Sequence, residues 1–137
     1  MSVEDDRPVW ASGLVKSFGK SPAVKGVSLS VPKGSVYGVL GPNGAGKTTT
    51  LRMLLGIIDP DKGERRLLGE ANPRNVSHRV GYLPEERGLY PSMKAREAIA
   101  FMGALRGLDW SEGRKRADEA LGAAGLGYAA HNKIRKL

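Results

Sequence analysis

Cysteine is absent from the 137 residues, which excludes a disulfide framework and any thiolate metal site. Histidine occurs only at His78 and His131, too few imidazoles for a zinc cluster. Aromatic residues make up 6% of the chain and do not interleave the short basic clusters at 65–66, 114–116 and 133–136, so no stacking platform for a nucleic-acid strand is written into the sequence. No apolar run approaches the roughly 20 residues that cross a bilayer. The opening Met-Ser-Val-Glu-Asp-Asp-Arg also lacks the basic and then apolar pattern of a secretory signal. A chain of this kind that works at a membrane is expected to reach it by docking onto a partner. Acidic residues are the minority, 14 against 22 basic, for a net charge of +8; the scatter of the positive charges reads as solvated faces, and no direct nucleic-acid contact is expected.

What is present suits one soluble domain or most of one, at 40% hydrophobic and 26% charged residues. Residues 9–18 and 23–31 have strand character, the second alternating through Val24, Gly26 or Val27, Leu29 and Val31. Residues 35–40 form a short apolar run of the kind expected for a parallel strand covered on both faces. Leu51, Leu54, Leu55 and Ile58 fall at helical spacing, so residues 46–58 predict a helix that the polar turn at 59–63 ends. Short strands are expected at 67–68 and 80–83, around a surface connection at 69–77. Two helices should follow, over about 94–106 and 112–124, with Ser92 and Ser111 as N-caps. The first aligns Ala95, Ala98, Met102 and Leu105, and the second Ala117, Ala120, Leu121 and Ala124. Strands followed by helices imply an α/β fold.

The chemistry sits between the apolar run and the first helix. Gly41, Pro42, Asn43, Gly44, Ala45, Gly46, Lys47 and Thr48 match G-x-x-x-x-G-K-[ST], a spacing that wraps backbone N–H groups around a phosphate. Gly41, Gly44 and Gly46 permit close approach, and the following helix offers its free N–H groups to the anion. Lys47 supplies a mobile positive charge to the β and γ phosphates, the Thr48 hydroxyl can ligate Mg²⁺, and Thr49 adds a donor toward the α phosphate. A glycine-rich turn without a ligand is the competing reading; the strand before the loop and the amphipathic helix after it favour the nucleotide.

The wording of 41–49, together with Ala-Val-Lys-Gly-Val-Ser-Leu-Ser-Val at 23–31 and Gly-Ser-Val-Tyr-Gly-Val-Leu at 34–40, resembles ABC-transporter ATPases. The resemblance runs from about residue 9 to 137. It implies a P-loop NTPase fold with an antiparallel β subdomain and the start of a helical subdomain, divided as 1–91 and 92–137. It implies ATP and Mg²⁺ as ligands, with Phe18 matching the adenine-stacking aromatic and Val24 also at the nucleotide. Phe18 as ordinary core is the alternative, and Tyr37 and Tyr82 are expected to be core. Residues 80–91 resemble the segment that joins the catalytic core to the helical subdomain. Most members carry a Gln there that reaches Mg²⁺ and the attacking water. This chain has Glu85, as do bacterial exporter ATPases of the sodium-efflux and ABC-2 type. Ionised, Glu can ligate Mg²⁺ but cannot donate an amide hydrogen; a solvated Glu-Glu-Arg turn is the alternative.

In complete members the helical subdomain leads into a Leu-Ser-Gly-Gly-Gln-like motif, then a general-base carboxylate, then a histidine that contacts the γ phosphate. The 137 residues contain none of these, and His131, in a basic turn, is expected to be exposed. The resemblance therefore implies an N-terminal fragment of an ATP-binding subunit, with Lys47 and Glu85 as its catalytic residues, that binds ATP better than it hydrolyses it. In the complete protein it implies a homodimer or heterodimer of ATPase domains driving transport, as export, through transmembrane permease subunits at the cytoplasmic face of the membrane. The alternatives are a soluble ABC protein acting on ribosomes or nucleic acid, and a non-catalytic fragment.

Overall fold

The computed structural model, which describes residues 7–85 and 88–137, opens on an antiparallel hairpin. β1 (Val9–Phe18) and β2 (Ser21–Val31) pair around Gly19 and Lys20, a two-residue reversal eased by Gly19 at φ 61°. β3 (Lys62–Leu67) pairs antiparallel with the other edge of β1, giving the order β2-β1-β3. Ala11 and Leu14 lie three residues apart, a spacing that points to opposite faces of a regular strand. The register shifts between them, and this bulge returns Leu14 to the face of Ala11. Both pack with Val24 of β2 and with Met53 and Leu54 of α1 (Lys47–Leu54). Burial of side chains the size of Leu14 and Met53 stabilises by roughly 1.5–3 kcal/mol each, so this cluster is what holds the helix to the sheet.

Helix α1 is shorter than the spacing of its leucines predicts. Gly56 enters the left-handed region at φ 74°, its N–H donates to the Met53 carbonyl, and the Ile57 N–H reaches back to Arg52. This pair of reversed hydrogen bonds terminates the helix before residue 58. Arg65 of β3 then closes the C-terminal end, donating to the carbonyls of Met53 at 2.5 Å and Ile58 at 2.8 Å and to Asp59 at 2.7 Å, where a cation meets the negative end of the helix dipole. The connection expected at 69–77 is partly ordered as a 3-10 segment, Pro73–Arg79, that buries Pro73 and Val76.

Residues 35–40 form no strand. Val36 stands at 103% and Leu40 at 95% relative exposure, and Tyr37 is likewise exposed at 47%. A parallel strand covered on both faces needs a ladder on each side, and no described strand pairs with this run. The same holds at 80–83, where no strand forms and Tyr82 is exposed. Neither tyrosine is core, against expectation. Of the strand expected at 67–68 only Leu67 lies in β3; Leu68 turns out of it at φ 51°, and β3 begins at Lys62, within the polar turn expected at 59–63.

The chain divides into two compact units, the first ending at Tyr82 and the second beginning at Leu83. In the second, α2 (Ala95–Leu105) and α3 (Trp110–Ala123) form a hairpin. Gly113 of α3 lies where a Cβ would stand 3.2 Å from the Ala100 carbonyl, so the helices meet backbone to backbone. Small residues therefore fill the contact: Ala95, Ala98, Ala100 and Ala117 are buried with Leu121. The expected stripes are only half right, since Met102, Leu105, Ala120 and Ala124 are exposed. Arg96 and Asp118 pair at 2.8 Å, and Arg114 and Glu97 at 3.2 Å, across the hairpin. Neither serine caps a helix. Lys94 stands at the N-cap of α2, where the Ala95 and Arg96 N–H groups donate to the backbone carbonyls of Asn132 and Ala130. At α3 the cap is Asp109, whose carboxylate accepts from the Ser111 N–H at 2.9 Å. Among the described residues no helix is long and apolar enough to cross a membrane.

Candidate nucleotide-binding site

The phosphate-loop residues lie between the irregular run 35–40 and the first turn of α1. The Ala45 N–H donates to the Pro42 carbonyl at 3.1 Å, a tight turn with Gly44 at φ 83° in its third position. Gly46 follows at φ 87° as the residue before the helix. A Cβ there would stand 2.4 Å from the Ala23 carbonyl oxygen and 3.0 Å from a Val24 methyl. The glycine is thus required twice, by its left-handed backbone and by the β2 backbone against it.

Gly46 has no side chain to cap α1, and the helix has no acidic residue in its first turn. Its first backbone hydrogen bond is Thr50 N–H to the Gly46 carbonyl at 2.9 Å. The N–H groups of Lys47, Thr48 and Thr49 precede it, at the positive end of the helix dipole. The Lys47 ammonium turns back into the loop and donates to the carbonyls of Gly41 and Pro42. A close-packed glycine, unclaimed helix N–H groups and an ammonium within one loop are the donor set that a phosphate chain requires. Thr48 is exposed at the helix start, its hydroxyl available to a metal. No cluster of three His, Cys, Asp or Glu exists among the described residues; a Mg²⁺ held by the Thr48 hydroxyl would take its remaining ligands from phosphate oxygens and water.

Hollows flank the loop. One, of about 390 Å³, lies between residues 22–27 of β2 and Gly44 and Ala45. Another, of about 300 Å³, runs between residues 27–29, residues 37–40 and the start of α1. Val24 is buried against Gly46 and borders the first. Phe18, the last residue of β1, is 53% exposed and therefore not core. Asn43 is exposed in the turn. Glu85 is exposed and belongs to the second unit; Glu86 and Arg87 of its segment, and residues 1–6, lie outside the described residues. His131 is exposed, as expected.

Two contributors escape a reading of the motif. Thr50 is buried, its hydroxyl donating to the Gly46 carbonyl at 2.8 Å, so it braces the loop from behind. The third threonine of the run at 48–50 is one helical turn from Gly46, which is the available signal. Ala23 contributes only its backbone carbonyl, which no side-chain pattern reveals.

A family model described as ABC transporter matches residues 24–137. The chain is 39% identical over 98% of its length to a daunorubicin/doxorubicin resistance ATP-binding protein of Streptomyces peucetius, covering 42% of that relative. It is 42% identical over 91% of its length to a Nod factor export ATP-binding protein I of Ralstonia nicotianae, covering 40% of it. It therefore spans about two fifths of the length of these curated relatives. Among solved structures, cbiO1 of Clostridium perfringens, part of an ABC transporter complex, matches at a TM-score of 0.77 and 23% identity over 96% of this chain and 56% of that one. The ADP conformation of MJ1267, an ATP-binding cassette, matches at 0.75 and 24% over 96% and 59%. At such identities the structures establish the fold, an ABC ATPase domain of which the chain covers a little over half. With the family model spanning most of the sequence, the chain belongs to the ABC transporter ATP-binding family.

Proposed function

We propose that this chain binds MgATP as part of the ATP-binding subunit of an ABC exporter. The observation that carries the reading is the loop at 41–48. There Gly46 is pressed on the Ala23 carbonyl, the Lys47 ammonium turns inward and the α1 N-terminus is uncapped. In this reading the N–H groups of the loop and first turn hold the phosphate chain. Lys47 spans the β and γ phosphates, Thr48 ligates Mg²⁺, and Glu85 supplies a second Mg²⁺ contact by its place in the family's motif. Phe18 stacks on adenine, a contact of roughly 0.5–1.5 kcal/mol beyond area burial, and Val24 packs beside it. Bound Mg²⁺ would neutralise developing phosphate charge.

The export assignment rests on relatives named for drug resistance and Nod factor export. By that analogy the complete protein dimerises and works with separate membrane-spanning subunits at the cytoplasmic face of the membrane. The 137-residue chain itself binds ATP better than it hydrolyses it, since its sequence has no Asp-Glu pair behind an apolar strand to serve as general base. Calorimetric titration with ATP, ADP and AMP tests the site. ATP and ADP should bind and AMP much more weakly, because the loop is built for the β phosphate; equal binding of all three would overturn the assignment.

A further inference from the structure

β1 outruns β3. Val15 is the last residue of β1 with a β3 partner, Lys62, and the Asp61 N–H donates to the Val15 carbonyl at 2.8 Å. Beyond that point β1 continues through Ser17 and Phe18 with no described strand on that side. On the other side it still pairs with β2, Ser17 opposite Pro22 and Phe18 opposite Ser21. The Asp61 carboxylate takes the place of a strand partner there. One oxygen accepts the Ser17 N–H at 2.7 Å and the other accepts the Lys16 ammonium at 3.0 Å. That ammonium lies over the Phe18 ring, 5.7 Å from its centroid.

The lysine side chain is mostly covered, at 19% exposure, whereas Phe18 is half exposed. One face of the ring is thus backed by a cation that is itself tethered by a carboxylate, and the strand end that carries the ring is fixed through the neighbouring amide. The Asp61 carboxyl sits below its ordinary range, through the Ser17 N–H first and Lys16 second, in keeping with a persistent anion at this corner.

From this geometry we propose that Asp61 and Lys16 are positioning residues for Phe18, holding its ring at the orientation in which a flat heteroaromatic base stacks on it. The proposal rests on the reading of Phe18 as the adenine-stacking residue. Its chemistry is specific. A buttress of the ring affects ligands that carry a base and leaves a bare phosphate chain alone, whereas a general loss of fold affects both. The cation beneath the ring and the charged hydrogen bond to Ser17 are each modest at an exposed site.

The test measures affinity for MgATP and for Mg-tripolyphosphate in the intact chain and in Phe18→Ala, Asp61→Ala and Lys16→Met. The expected result is roughly threefold to tenfold weaker ATP binding in both the Asp61 and the Lys16 variants, with tripolyphosphate affinity unchanged. Lys16→Met keeps the stem of the side chain and the Ser17 tether, so it answers the question even where Asp61→Ala unfolds. If Phe18→Ala weakens ATP while the other two bind it like the parent, the positioning role is overturned and stacking stands. A parallel loss of tripolyphosphate in the Asp61 and Lys16 variants overturns the role in favour of a general effect on the fold. ATP binding unaffected in Phe18→Ala removes the stacking reading, and this proposal with it.

Discussion

At the scale of single residues, Gly46 carries two constraints at once, and each can be put to a number. A side chain at φ 87° costs roughly 1–2 kcal/mol from backbone sterics, and a Cβ 2.4 Å from the Ala23 carbonyl forces β2 or the loop to move. Gly46→Ala is therefore expected to lose at least about 2 kcal/mol in denaturant unfolding; a loss under about 0.5 kcal/mol would mean that the loop does not sit against β2. Thr50→Val removes a buried hydroxyl bond and retains the shape, for an expected loss of about 1 kcal/mol. The motif at 41–48 announces the glycine and the lysine from sequence. It does not announce Thr50 or the Ala23 carbonyl, because bracing by a third threonine and by a neighbouring strand's backbone leaves no fixed spacing within the motif.

The three α-helices among the described residues end by one device, and it explains where apolar periodicity and structure differ. Leu55-Gly56-Ile57, Arg106-Gly107-Leu108 and Ala124-Gly125-Leu126 each place a glycine at positive φ and return the next N–H to a carbonyl five residues back. Leucine spacing carries the first helix on to Ile58, but Gly56 stops it earlier; a stop of this kind is legible only if the glycine is given precedence over the apolar stripe. Nothing stands within 4 Å of a Cβ at Gly107, whereas at Gly56 one would meet Pro73 and Arg74 at 3.2 Å. Gly107→Ala is thus expected to cost about 1 kcal/mol and Gly56→Ala measurably more, the order being checked by unfolding of the two variants side by side. Capping at the other ends of the helices also departs from the local sequence pattern. Ser111 is a good capping residue, yet Asp109 two positions earlier accepts its N–H, and α2 is capped by backbone from 130–132 that no local pattern foretells.

For the whole molecule, the strands at 35–40 and 80–83 were expected from apolar composition, but a ladder depends on partners that are not encoded in the run itself. The strands of the hairpin, in contrast, were legible at 9–18 and 23–31 from their own composition and alternation, whereas their antiparallel pairing was implied by the family resemblance and β3 begins at Lys62, inside the polar turn expected at 59–63. Charge sets a further global expectation. Asp59, Asp61 and Asp109 all lie below the ordinary 3.8, held down by hydrogen bonds from Arg65 and then Arg74, from the Ser17 N–H and then Lys16, and from Ser111. A carboxyl depressed in the folded state contributes stability that is present above the unfolded value and is lost as pH falls through the folded one. The chain should therefore hold its unfolding midpoint at neutral pH and lose stability below about pH 4, and Asp109→Asn should flatten part of that slope. The central claim is that the loop at 41–48 binds the phosphates of a nucleotide, and titration of MgATP into the intact chain and Lys47→Ala tests it most directly. The account predicts binding by the parent and an affinity at least about tenfold lower in the variant, a loss of the size expected for a charged hydrogen bond; equal affinity in the two, or no binding by the parent, would contradict it.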